Sequence, residues 1–154
     1  MIVFLGEYEV TFDTKGRFLL PVGIKKQLPD DAGGKFVIAR GFEKCLTLYP
    51  KKNWDPIMAE LIKVSDYKAE NREFLRYFTM GAAELEFDTA GRLLVPPNLK
   101  TYAGLEKDVL LVSVINKIEI WDKSKYQQFF ESFTPEKYSD LAERVMSGSN
   151  PTQL

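Results

Sequence analysis

Two arginines occupy the same place in two nearly identical decapeptides: Arg17 in FDTKGRFLLP (Phe12–Pro21) and Arg92 in FDTAGRLLVP (Phe87–Pro96). A guanidinium is a planar fork that donates paired hydrogen bonds to O6 and N7 of guanine or grips a phosphate, so this residue type at two equivalent positions suits the reading of double-stranded DNA. Lys15, Lys25 and Lys26 cluster in sequence around the first decapeptide. The second has Lys100 nearby but replaces Lys15 with Ala90, so the first half is expected to contribute more charge. A plainer reading stands beside this one. Asp13 with Arg17, and Asp88 with Arg92, could pair across their own turns and only staple a hairpin, at about 0–1 kcal/mol if exposed.

Other chemistries are poorly served. With no histidine and a single cysteine, Cys45, the usual zinc sites and an intramolecular disulfide are excluded. No glycine-rich phosphate loop is present, so neither an enzyme nor a cofactor is expected. The net charge of −1 does not advertise a nucleic-acid binder, so any basic surface must be local. An apolar share of 45% and a charged share of 28% describe a globular chain. No apolar run approaches the ~20 residues of a membrane span. The opening MIVFLGEYEV does not read as a signal peptide, and a cytoplasmic location is expected.

The elements that must position the arginines follow from the same repeat. The decapeptides lie 75 residues apart, and CLTLYP (Cys45–Pro50) matches KIEIWD (Lys117–Asp122) at an offset of 72, so the chain is an internal duplication. Val10/Phe12 and Leu85/Phe87 alternate with polar residues as strands do. Asp13 and Asp88 suit a turn whose backbone N–H groups they accept from, and Gly16 and Gly91 supply positive φ. The return strands Phe18–Leu20 and Leu93–Val95 stop at Pro21 and Pro96. Short helices are predicted over Val22–Leu28 and Pro97–Ala103. Strand pairs are predicted over 36–39 with 46–49 and over 109–114 with 117–121. Helices should follow at 53–64 and 67–80, with an N-cap at Ser65-Asp66, and at 124–132 and 135–146, the last capped by Thr134. Tyr126, Phe129, Phe130 and Phe133 recur at i, i+3, i+4 and i+7, the best candidate stripe for an oligomer interface. Base-stacking platforms are the alternative for the aromatic surplus.

Together, Phe4-Leu-Gly-Glu7, the two Asp-x-x-x-Arg motifs, RGFEKCL (Arg40–Leu46) and Ile118-Glu-Ile-Trp-Asp122 resemble the bacterial MraZ family over about Met1–Met146. The resemblance implies an α+β fold of two pseudo-symmetric AbrB-like swapped-hairpin units with flanking helices in one compact protein. The expected parts are a first half at 1–80, a second at 81–148 and a flexible tail at 149–154. It further implies a transcriptional regulator of the division and cell-wall genes, associated with the nucleoid. Such a regulator would bind repeated promoter boxes upstream of its own operon as a ring-like homo-oligomer, with no small-molecule ligand evident. The rival is an antitoxin-like protein-interaction module on the same fold.

Overall fold

Strand patterning decides the architecture. The structure, a computed structural model, describes residues 1–148 and divides into two compact units, Met1–Lys123 and the residues from Ser124 onward. In the first unit, six antiparallel strands form one sheet: β1 (Glu7–Thr11), β3 (Lys35–Arg40), β4 (Leu46–Pro50), β5 (Ala83–Glu86), β7 (Asp108–Val114) and β8 (Lys117–Asp122). Their order is β1-β7-β8-β4-β3-β5. The strands β2 (Arg17–Leu19) and β6 (Arg92–Leu94) pair only with each other.

That order is symmetric about its centre. β8 meets β4 with Leu46 opposite Ile120 and Leu48 opposite Ile118, and outward on either side the repeat-equivalent strands follow in the same succession. The outermost strands are exchanged. β1 of the first copy pairs with β7 of the second, Val10 opposite Val109, while β5 of the second pairs with β3 of the first, Leu85 opposite Phe36.

The exchange corrects one expectation. The sequence pattern predicts that each decapeptide folds back on itself as a hairpin, yet its two strands form no ladder with each other. What survives is the turn: Asp13 N–H donates to Arg17 O (2.9 Å) and Gly16 N–H to Asp13 O (3.0 Å), with Asp88–Arg92 and Gly91–Asp88 at the same two distances. The physical reason is burial. Meeting its own equivalent sets Phe18 opposite Leu93 with both fully enclosed, and the apolar area so removed from water favours this pairing.

One face of the large sheet carries the main core, including Phe4, Phe18, Phe36, Ile38, Leu48, Leu93, Leu111 and Ile118. Alternation along β3 sends Val37 and Ala39 to the other face, where Tyr49 and Trp54 join them. Two helices cover that cluster, α2 (Lys51–Ile62) through Ile57 and Met58 and α3 (Ala69–Thr79) through Phe78. Burial on both faces explains why β3 carries the continuous apolar run Phe36–Ala39 and why every position of β4 is buried, Thr47 included. At the start of α2, the buried Asn53 accepts from Ile2 N–H (2.9 Å) and donates to Ile2 O and Asn116 O (2.8 Å each), tying the N-terminal segment down.

Two short helices follow the prolines, α1 (Val22–Lys25) and α4 (Pro97–Ala103), the latter ending on Gly104 at φ 60°. The break before α3 falls where the sequence puts it, but Ser65 and Asp66 do not cap the helix. Lys68 holds the cap position without a side-chain bond, and the loop is held instead by Asn71 Nδ2 on Ser65 O (2.9 Å) and Arg72 Nη1 on Asp66 O (2.8 Å).

The second unit contains α5 (Lys123–Phe129), of which all but Lys123 lies there, and α6 (Pro135–Gly148). Thr134 Oγ1 caps α6 by accepting Lys137 N–H (3.2 Å). The expected aromatic stripe is not a single helical face, because α5 ends at Phe129. Phe130 still donates its N–H to Tyr126 O, whereas Phe133 lies in the connection to α6. The rings nevertheless run on in a chain, Tyr126 to Phe130 at 4.8 Å, Phe130 to Phe133 at 5.9 Å and Phe133 to Tyr138 at 6.1 Å between centroids. The tail at 149–154 lies outside the described residues.

Candidate nucleic-acid interface

The two Asp-x-x-x-Arg turns are built alike. Gly16 has φ 83° and Gly91 φ 79°, the left-handed conformation in which a side chain is strained. Asp13 Oδ1 accepts the backbone N–H groups of Lys15 and Arg17 (2.9 Å each), and its Oδ2 accepts Arg17 Nε at 2.7 Å. Asp88 does the same for Ala90, Arg92 and the Arg92 side chain at 2.9, 2.8 and 2.9 Å.

These bonds set the carboxylates' acidity. Asp13 is lowered from 3.8 to about 2, first by the Arg17 backbone N–H and then, against a partial opposing effect of burial, by the Arg17 guanidinium and the Lys15 N–H. Asp88 is lowered for the same reasons, led by the Arg92 backbone N–H. Both are ionised at neutral pH. Each arginine is held to its own aspartate through Nε, with no hydrogen bond from its terminal nitrogens to that aspartate.

Antiparallel pairing of β2 and β6 sets the two turns at opposite ends of a ladder only three residues long, with Arg17 opposite Leu94 and Arg92 opposite Leu19, so the arginines stay within reach of one cleft. Val10, Thr11, Asp13, Arg17, Phe18, Leu19 and Arg92 line one shallow cleft. Within it, Arg92 Nη1 comes within 3.6 Å of Asp13 Oδ2, an ion pair that crosses from one copy to the other. Nothing in the sequence signals this contact, because it depends on a pairing between segments 75 residues apart.

The lysines are redistributed by the same exchange. Lys25, near the first turn in sequence, has its Nζ 5.3 Å from the centre of the Phe87 ring, and a methyl group placed on Gly91 would lie 3.6 Å from it. Lys100 passes the first turn, its Cδ 3.8 Å from such a methyl on Gly16, while Val95 N–H donates to Gly16 O (3.0 Å). The expected grouping is thus corrected. Lys15, Arg17 and Lys100 gather at the first turn, and Arg92 and Lys25 at the second. Lys26 is exposed at the end of α1.

Elsewhere, Glu43, Cys45 and Glu119 bring three ligand-type atoms within 4.8 Å of one another. Burial and the two carboxylates push the Cys45 thiol far up, which suits a protonated side chain inside the fold and not a reactive thiolate.

Comparison with known proteins fits this duplicated geometry. A family model described as MraZ protein, antitoxin-like, matches twice, over residues 3–77 and 78–147. The chain belongs to the MraZ family. Relatives named transcriptional regulator MraZ include those of Christiangramia forsetii, 43% identical with 97% of each chain covered, and Flavobacterium psychrophilum, 40% identical with 97% of this chain and 96% of that one covered. A third, from Moorella thermoacetica, is 38% identical over 94% of this chain and 97% of its own. The family is one of regulators, so the chain is not an enzyme.

Proposed function

We propose that this protein is a transcriptional regulator that binds specific double-stranded DNA through the two Asp-x-x-x-Arg turns. The observation that carries this reading is the paired orientation of Arg17 and Arg92, each gripped through Nε by its own aspartate in a turn of the same geometry. A side chain ordered before binding loses less entropy on meeting a base or a phosphate. Lys15, Lys100 and Lys25 beside the turns give an otherwise acidic chain the local positive surface that a polyanion needs. The shared name of the relatives supports the regulatory role.

The finer reading is a homo-oligomer, ring-like, on repeated boxes upstream of its own operon, among the division and cell-wall genes and at the nucleoid. Exposed apolar side chains support self-association: Phe42 is 84% exposed in the first unit and Phe129 51% in the second. Repetition of a weakly binding face along spaced boxes raises avidity by about 10²–10⁴ without new contacts. The test is binding of the purified protein to the DNA upstream of its own gene and to a scrambled duplex across a salt series, with assembly mass measured on the same sample. Preferred binding by a large assembly, weakening steeply with salt, is expected. Equal and feeble binding to both duplexes overturns the reading and turns attention to a protein partner.

A further inference from the structure

The two turns are not equal in what they leave free. Arg17 uses Nε on Asp13 Oδ2, and neither of its terminal nitrogens has a partner among the described residues. Arg92 uses Nε on Asp88 Oδ2 and also has Nη1 3.6 Å from Asp13 Oδ2, longer than a hydrogen bond but an ion pair, so a second carboxylate draws on its guanidinium. No matching pair joins Arg17 to Asp88 among the described residues. The difference falls on the atoms that matter for recognition. An end-on, two-pronged contact with guanine O6 and N7 needs both terminal nitrogens, whereas a phosphate is satisfied by one donor and a positive charge.

We propose that the two arginines have different jobs: Arg17 reads a base edge in the major groove, while Arg92, tethered across the pseudo-symmetry by Asp13, holds a backbone phosphate. The assignment rests on the DNA-binding reading above and adds to it a division of labour between the copies. Surrounding charge agrees with it. The first turn has Lys15 and Lys100 to hold the backbone on either side of a reading arginine, while at the second turn Ala90 leaves Lys25 and Arg92 as the cations beside the turn.

The experiment replaces each arginine by lysine and by alanine, with fold checked by circular dichroism. Binding is measured by fluorescence anisotropy against the upstream duplex, single-base variants of it and a scrambled duplex, each over a salt series. Lysine keeps the charge but loses the planar fork. Arg17→Lys is therefore expected to weaken binding to the upstream duplex roughly ten- to a hundredfold and to flatten discrimination at one base position. Arg92→Lys should stay within about threefold of the parent, while Arg92→Ala should weaken binding to all the duplexes alike and reduce the salt slope by about one for each phosphate no longer neutralised. A parent protein that prefers its upstream DNA, with the two lysine variants equally impaired or the order reversed, overturns the division of labour alone. A parent protein with no preference among the duplexes overturns the DNA-binding reading itself.

Discussion

The first and second turns share a backbone and differ in company. Both put a glycine at φ near 80° a short return strand ahead of a proline, and both tie an aspartate to two backbone N–H groups and one Nε. Each also has the repeat-equivalent lysine of the other copy beside its glycine, Lys100 at Gly16 and Lys25 at Gly91, but their neighbours diverge in Lys15 against Ala90, and in an Asp13 that faces both arginines against an Asp88 that faces one. Local geometry in a duplicated unit is fixed by the few residues that make the turn, so those positions repeat. Outside the turn the constraint is looser: the lysine that crosses the junction is kept in both copies, while the turn-tip cation and the Asp13–Arg92 pair belong to one side only.

The largest expected effect tests whether the turns share one function. Replacing Arg17 and Arg92 together by alanine is expected to reduce affinity for the upstream duplex by at least on the order of 10²-fold, at about 1–3 kcal/mol for a bidentate base interaction, with a phosphate interaction removed besides. A folded double variant that binds like the parent removes this face from the DNA.

Next in size is the shared backbone. Alanine at Gly16 or Gly91 must hold a left-handed φ, at about 1–2 kcal/mol each. The space at both positions is ordinary, with the nearest atoms to an added methyl at 3.7 Å and 3.6 Å respectively, so strain and not collision sets the cost. Thermal unfolding should show two similar losses. Markedly unequal losses would mean that the turns differ in backbone strain as well as in surroundings.

Much of this is legible in the sequence, and the reasons differ by residue. The turns are legible because Asp13, Gly16 and Arg17 interact within five consecutive positions, and spacing alone reports such contacts. Burial of Phe12 is legible because alternation with Val10 states which face a side chain takes, whereas the all-apolar return strands give no sign that Phe18 and Leu93 are buried while Leu19 and Leu94 are exposed. Alternation does not name the partner strand, so the pairing of β1 with β7 and of β2 with β6 had to come from the structure. The misplacement of Lys25 and Lys100 follows directly from that, as does the missed Asp13–Arg92 pair. Asn53 escapes for another reason. An asparagine in the first turn of a helix carries no sign that its amide faces inward to bond Ile2 and Asn116.

A smaller effect tests the difference in charge. Ala90→Lys would give the second turn the cation the first already has. It is expected to strengthen binding severalfold and to steepen the dependence on log salt by about 0.9 per phosphate neutralised. Lys15→Ala should do the reverse. Anisotropy titrations from low to high salt measure both slopes, and an unchanged slope in both variants would place the turn tips away from the backbone.

The smallest effect concerns acid. Asp13, at about 2, and Asp88 are both held below their ordinary value of 3.8. The unfolded chain therefore takes up protons before the native turns do. A depressed carboxylate contributes stability that is fully present above its unfolded value, near pH 4, and is lost as pH falls through the folded value. Both turns should be intact at neutral pH; Asp13 should lose its contribution between about pH 4 and about pH 2, and Asp88 should lose its own as pH falls below about 4. Side-chain carboxyl shifts followed by NMR through an acid titration test it site by site. In Arg92→Ala, Asp13 loses the cation 3.6 Å away but keeps the Arg17 N–H, the Arg17 guanidinium and the Lys15 N–H that lower its value, so its midpoint should rise only slightly. Arg17→Ala should raise it further, because that change removes the guanidinium 2.7 Å away. An Asp13 midpoint that responds more to Arg92 than to Arg17 would reverse the order of the two contacts, and with it the asymmetry between the turns.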